Sequence, residues 1–233
     1  MNRRQFGSAV AAAGVALGWG PEALASATSP TGEVVKAFDR NGAASAQWYN
    51  DAYAAGFRLA VLSSNIWGQN APWPQAPTQL KLALDAGLRI AAYTRDPSWW
   101  KVGIEACAPY IDQLQFFCLD IESDPGVPVT RAMVDGVKSM GVRPVIYSNW
   151  SVWPLIMGAD NEDFADLPLW DADTQGAHWD SATFTPTLTT PKPVLYGGWN
   201  TPTTMRIGLQ QIENAYFNGI SIDINSFSAD FLR

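Results

Sequence analysis

One histidine and two cysteines are all that this chain of 233 residues offers to soft metals or to disulfide chemistry. The histidine, His178, has no partner at metal-ligand spacing, which argues against zinc. Cys107 falls in a helical segment and Cys118 on a strand, with the parity that points away from the helices. A bridge between them would cross the strand layer, so two buried thiols are expected, although export permits a disulfide. Charge is scarce as well, at 16% of residues, and 15 Lys and Arg against 22 Asp and Glu leave a net charge of −7. Such a chain has no electrostatic claim on nucleic acid or on anionic lipid. A G-x-S-x-G elbow, a phosphate-binding glycine loop and a dinucleotide fingerprint are all missing, so serine-hydrolase, nucleotide and nicotinamide chemistry lack support and no cofactor is expected. The apolar run from Ala9 to Leu17 is too short to span a bilayer.

What is present begins with an export signal. Asn2-Arg3-Arg4-Gln5-Phe6-Gly7, the run from Ala9 to Leu17, and Ala23-Leu24-Ala25 or Ala25-Ser26-Ala27 read as a twin-arginine signal over residues 1–27. That points to a bacterial protein, secreted or associated with the cell envelope, with no stable membrane insertion once the signal is removed. Residues 28–33 read as a short linker and 34–233 as one domain. With 47% hydrophobic residues that domain can bury a real core, and its chain carries 11 tryptophans.

From Gly32 onward short apolar strands alternate with helical stretches. Strands are expected at 34–39, 57–62, 88–93, 116–122, 144–148, 167–170, 206–211 and 220–225; helices at 43–55, 78–86, 102–110 and 130–140. Gly56, Gly87 and Gly141 close three of the helices. Eight strands of this kind predict a single α/β domain, an irregular (β/α)8 TIM-like barrel whose sixth and seventh strands lack clear intervening helices.

The stretch that organises this barrel is Phe116-Phe117-Cys118-Leu119-Asp120-Ile121-Glu122-Ser123. On a strand Asp120 and Glu122 share one face, while Phe117, Leu119 and Ile121 share the other. Two neighbouring carboxylates repel, so one holds a proton near neutral pH, and an acid beside an anion is the equipment of glycoside hydrolysis. The same two residues could instead bind a cation, cap the next helix or pair with basic groups.

Catalytic barrels gather functional groups at the carboxyl ends of several strands. Asp39, Tyr93, Asp120, Glu122, Tyr147 and Asp223 are expected there. Turn chemistry could account equally for Asp39 and Asp223, and a satisfied hydroxyl inside the barrel for Tyr93 and Tyr147. Tryptophans cluster in the loops after these strands: Trp67, Trp73, Trp99, Trp100, Trp150, Trp153 and Trp199. Exposed ones would stack on the apolar faces of sugars; the others would pack loops onto the barrel.

With strand order and these residues in place, the chain resembles the lysozyme-like glycoside hydrolase family 25, irregular β/α barrels that cut peptidoglycan between N-acetylmuramic acid and N-acetylglucosamine. The resemblance runs from Val34 to about Phe231. It rests on the strand ending at Asp39, residues 86–93, Leu119-Asp120-Ile121-Glu122, residues 144–148, Pro168-Leu169-Trp170, Gln210-Gln211 and Ile222-Asp223-Ile224-Asn225. It implies that Glu122 is the general acid and that Asp120 stabilises positive charge on the sugar or on its participating acetamido group. Asp39 and Asp223 would line the site, with Tyr93, Tyr147, Trp170, Gln210, Trp67 and Trp99 as further contacts to a polysaccharide substrate. Substrate assistance would remove the need for a protein nucleophile.

The chain also departs from that family. Ser63-Ser64-Asn65-Ile66-Trp67-Gly68 replaces the usual lysine and glutamate-glycine pair after the second strand, Tyr93-Thr94-Arg95 replaces Tyr-His-Phe, and Leu209-Gln210-Gln211 replaces Trp-Gln-Tyr. These changes touch the groove more than the acidic pair. The leading expectation is an exported glycoside hydrolase acting on a cell-wall polysaccharide, peptidoglycan first. Its rivals are a catalytically silent barrel that binds glycan through tryptophans and a metal-dependent hydrolase with Asp120, Glu122 and Asp223 as ligands.

Overall fold

The computed structural model describes residues 32–123, 125–174, 184–189, 194–199 and 206–232. The export signal, most of the linker and His178 lie outside them. Eight strands close into one barrel in chain order: β1 Val34–Arg40, β2 Phe57–Ser63, β3 Arg89–Thr94, β4 Leu114–Asp120, β5 Pro144–Ser148, β6 Leu169–Ala172, β7 Arg206–Phe217 and β8 Ile220–Ser228. Helices α1 Ala46–Ala54, α2 Ala76–Asp85, α3 Trp100–Glu105, α4 Arg131–Ser139 and α5 Trp153–Ile156 occupy the successive connections from β1 to β6. Among the described residues no helix is long and apolar enough to cross a membrane.

Local chemistry explains the helix boundaries. Ser45 caps α1 by accepting the N–H of Trp48, and Thr130 caps α4 by accepting that of Met133. The chain leaves α1 and α2 at Gly56 and Gly87, whose φ values of 90° and 91° are left-handed and suit a residue without Cβ.

The alternation along the strands sorts the core into two layers. Phe117, Leu119 and Ile121 pack outward with Phe38, Trp48 and Tyr49 under the helices, whereas Phe116 and Cys118 fill the barrel with Leu59, Val61 and Phe227. Each fully buried large apolar side chain contributes about 1.5–3 kcal/mol. Cys107 lies in the outer layer and Cys118 in the inner one; both are buried free thiols, and burial pushes Cys107 up to about 12.

Two strand expectations need correction. Pairing through β4 ends at Asp120, and Glu122 follows in the loop, although the N–H of Ile121 still donates to Tyr147 O at 2.9 Å. The last two strands are longer than 206–211 and 220–225, because they form a hairpin. Phe217 and Ile220 pair across Asn218-Gly219, whose φ values of 46° and 78° fit the two-residue turn that matches strand twist. The hairpin makes β8 antiparallel to both β7 and β1, while the other neighbouring pairs are parallel. Asp223 therefore does not sit at the carboxyl end of its strand. It lies in the first half of β8, and the reversal sets it opposite Asp39.

Candidate active site

A cavity of about 390 Å³ opens where β1, β3, β4 and β5 end and the β7–β8 hairpin begins. Asp39, Tyr93, Asp120, Tyr147, Trp170, Gln210 and Asp223 line it from the strands, and Glu122 and Trp67 from the loops after β4 and β2. Trp99 is not among the lining residues. It ends the short 3-10 turn Pro97–Trp99, which runs directly into α3.

The floor of the cavity is a network whose direction is forced by its ends. The indole N–H of Trp170 can only donate, so Asn225 turns its Oδ1 toward it at 2.9 Å and its Nδ2 toward Asp39 Oδ1 at 2.7 Å. The Tyr147 hydroxyl donates to Gln210 Oε1 at 2.7 Å, which leaves Gln210 Nε2 to donate to the same Asp39 oxygen at 3.1 Å. Asp39 thus accepts two amide hydrogens. They favour its anion, but burial first and the charge of Asp223 second push its carboxyl well above the usual range.

Asp223 is held differently. A bulge in β7 between Ile212 and Ala215 puts Asn214 at φ 54° and aims its N–H at Asp223 Oδ1, 2.6 Å away. Burial nevertheless raises Asp223 to about 6, with Glu213 and Glu122 adding to the rise. Asp120 is 6% exposed, and its Oδ1 is buried without a hydrogen-bond partner among the described residues. Burial and then the charge of Glu122 push it well above the usual carboxylate range, against the pull of Arg95. Tyr93 and Tyr147 are likewise pushed up by burial and by the surrounding acids, so both hydroxyls stay protonated as donors.

Glu122 is paired with Arg95, Oε2 to Nη2 at 3.2 Å, and the guanidinium lies 4.2 Å from the ring centre of Trp67. Arg95 and Asn225 were not among the candidates drawn from the sequence. Strand parity carried the signal in both cases: Arg95 follows Tyr93 by two residues, and Asn225 follows Asp223 by two. Glu213 and Asn214 also line the cavity, from the part of β7 beyond its expected end.

The tryptophans divide into two groups. Trp67 and Trp150 are 51% and 63% exposed. Trp153 and Trp199 are buried edge to face, 4.9 Å apart, and Trp199 Nε1 donates to Leu167 O, so these two pack loops. Asp171 is also structural in its contacts. It accepts the Tyr196 hydroxyl at 2.7 Å and has Arg206 Nη1 at 3.5 Å, which ties residues 194–199 to the barrel. Among the described residues no group of three or more His, Cys, Asp or Glu is arranged to hold a metal ion.

Fold and site together define an irregular β/α barrel, closed by one reversed strand, with a carboxylate-rich cavity at its mouth. Barrels of this form are found among solved muramidases and lysozymes. A family 25 lysozyme from Aspergillus fumigatus is similar with a TM-score of 0.56 and 16% identity, over 84% of this chain and 95% of that one. A family 25 glycosyl hydrolase from Bacillus anthracis gives 0.55 and 14% over 84% and 89%, and a muramidase from Trichobolus zukalii 0.53 and 20% over 84% and 95%. No protein-family model and no curated sequence matches the chain.

Proposed function

We propose that the protein is an exported glycoside hydrolase acting on a cell-wall polysaccharide, with peptidoglycan the first substrate to test. One observation carries the reading: Asp39, Asp120, Glu122 and Asp223, from three strands and a loop, meet in one cavity beside an exposed tryptophan. Carboxyls gathered this closely cannot all ionise near neutrality, so the site keeps a proton to give. The similar barrels named above, described as lysozymes and muramidases, support the choice of substrate class.

In this reading Glu122 protonates the glycosidic oxygen and Asp120 is its anionic partner. Asp120 stabilises positive charge on the sugar or on an acetamido group that participates in place of a protein nucleophile. Asp39 and Asp223 line the site, Gln210 and Asn225 hold Asp39, Tyr147 orients Gln210, and Trp67 offers a face to the sugar ring. The test is release of reducing ends from purified peptidoglycan, with mass analysis of the products. Muramic acid at the new ends supports a muramidase. Retention on the wall without release, unchanged by Glu122→Gln, would instead indicate a binding module.

A further inference from the structure

Arg95 stands between the two carboxyls to which the cleavage reading gives opposite protonation states. It leaves β3 with the same parity as Tyr93 and so enters the cavity, where its guanidinium pairs with Glu122 and rests on Trp67. The pair is only part-buried, with side chains 23% and 28% exposed, so water and a bound glycan can reach it and it can exchange. Asp120 is in the reverse position: it is buried, and ionising it would leave Oδ1 without a donor. With Arg95 on Glu122, the anion therefore belongs on Glu122 and the proton on Asp120. A general acid at Glu122 needs the opposite.

We propose that Arg95 is a positioning residue that sets which of Asp120 and Glu122 carries the proton, and that glycan binding reverses the choice by drawing the guanidinium off Glu122. The inference rests on the reading of Glu122 as the acid. The proton that Glu122 gains is the one Asp120 gives up, so no further reactant is required. Arg95 acts on both groups, since its charge also lowers Asp120. Trp67 holds the guanidinium beside Glu122, and the glycan releases it from both. Among the described residues the other acids and phenols lining the cavity with the pair are Asp39 from β1, Tyr93 from β3, Tyr147 from β5, Glu213 from β7 and Asp223 from β8. Arg40, the second arginine of the lining, donates from Nη2 to Ala43 O at 3.0 Å and lies 5.3 Å from the Trp48 ring centre, and its Nε and Nη1 are buried without a partner among the described residues; the cation whose charge acts on Asp120 is Arg95. Among the described residues Arg95 is therefore the cation paired within the acidic cluster.

The experiment compares the wild type with Arg95→Met and Arg95→Lys, each checked for folding by circular dichroism. The high-pH limb of kcat/KM reports the free enzyme and that of kcat the complex. Arg95→Met is expected to move the kcat/KM limb up by about one pH unit, roughly tenfold in rate above the wild-type limb, and to leave the kcat limb in place. Arg95→Lys keeps the wild-type limb. Two unmoved limbs, or two that move together, overturn the proposal. A second arm needs no turnover: carbon NMR of the side-chain carboxyls without glycan, assigned with Asp120→Asn and Glu122→Gln. Asp120 should take its proton at higher pH than Glu122, and Arg95→Met should narrow the gap. A wild type in which Glu122 protonates first overturns the inference. Absence of cleavage on every glycan would count against the hydrolase reading, while the NMR order still decides the role of Arg95 in the resting site.

Discussion

Asp39 on β1 and Asp223 on β8 face each other in antiparallel register, and Gln210 Nε2 lies between them, 3.1 Å from one carboxylate and 3.5 Å from the other. Two acids on directly opposed positions repel. The amide relieves part of the repulsion, and protonation relieves more.

That arrangement makes stability depend on pH. Asp223 is raised to about 6 in the folded chain, against roughly 3.9 unfolded. A raised acid binds its proton more tightly when folded, so stability is greatest below the unfolded value and falls as pH rises from about 4 through about 6. Asp39 and Asp120, also raised, act in the same direction. Asp223→Asn can still accept the Asn214 N–H. Urea denaturation should find it more stable than wild type at pH 7, by on the order of 2 kcal/mol, and no more stable at pH 4. A variant no more stable at pH 7 would show that burial of this acid is not a strain on the fold.

Gln210 joins Tyr147 to Asp39, so its loss strands the Tyr147 hydroxyl and leaves Asp39 with the Asn225 amide alone. Gln210→Leu removes the acceptor of the Tyr147 hydroxyl and a donor to Asp39, both buried. It should cost about 1–3 kcal/mol in denaturant, the penalty of one orphaned buried hydroxyl. Gln210→Glu keeps the acceptor but adds an acid beside Asp39 and Asp223. Its loss of stability should grow between pH 5 and pH 8.

The barrel and most of its mouth were legible because strand parity is strict. The face shared by Asp120 and Glu122 follows from period two whether or not the strand is paired as far as residue 122, and Tyr93, Tyr147 and Asp39 reach the cavity by the same rule. The reversal of β8 was the part missed. Its signal was Asn218-Gly219 between two apolar runs, which marks a tight hairpin and hence an antiparallel strand. Without the hairpin, Asp223 reaches the mouth for the wrong reason and the bulge that presents Glu213 and Asn214 goes unseen. Trp99 fell outside the cavity because periodicity does not say where a residue in a one-turn connection points.

The hairpin turn itself offers a clean conformational test. A Cβ at Gly219 would meet no atom within 4 Å, so Gly219→Ala probes backbone preference alone. With φ at 78°, the substitution should cost about 1–2 kcal/mol. A neutral result in thermal or chemical denaturation would mean that the turn is not held in the left-handed region.

Burial predicts two different phenotypes for the tryptophans. Trp67→Ala should leave stability nearly unchanged and weaken glycan binding by about 1 kcal/mol, roughly fivefold, read from binding isotherms on insoluble wall. Trp153→Ala removes a fully buried ring and should cost about 3–5 kcal/mol in denaturant. Equal effects of the two variants on binding would argue against stacking at Trp67.

The acidic pair separates chemistry from stability. Glu122→Gln keeps the shape but cannot donate a proton as an acid, so turnover should fall by at least about 10²-fold with the fold intact. Asp120→Asn should behave differently in denaturant, because a buried carboxyl that prefers to be neutral is replaced by a neutral amide. The protein should be as stable as wild type or more so at pH 7, while losing activity for want of an anion beside the sugar. If Asp120→Asn is both destabilised and active, Asp120 is a structural acid and the assignment of its role is wrong. If it is stable and inactive while Glu122→Gln stays active, the roles of the two carboxyls are reversed.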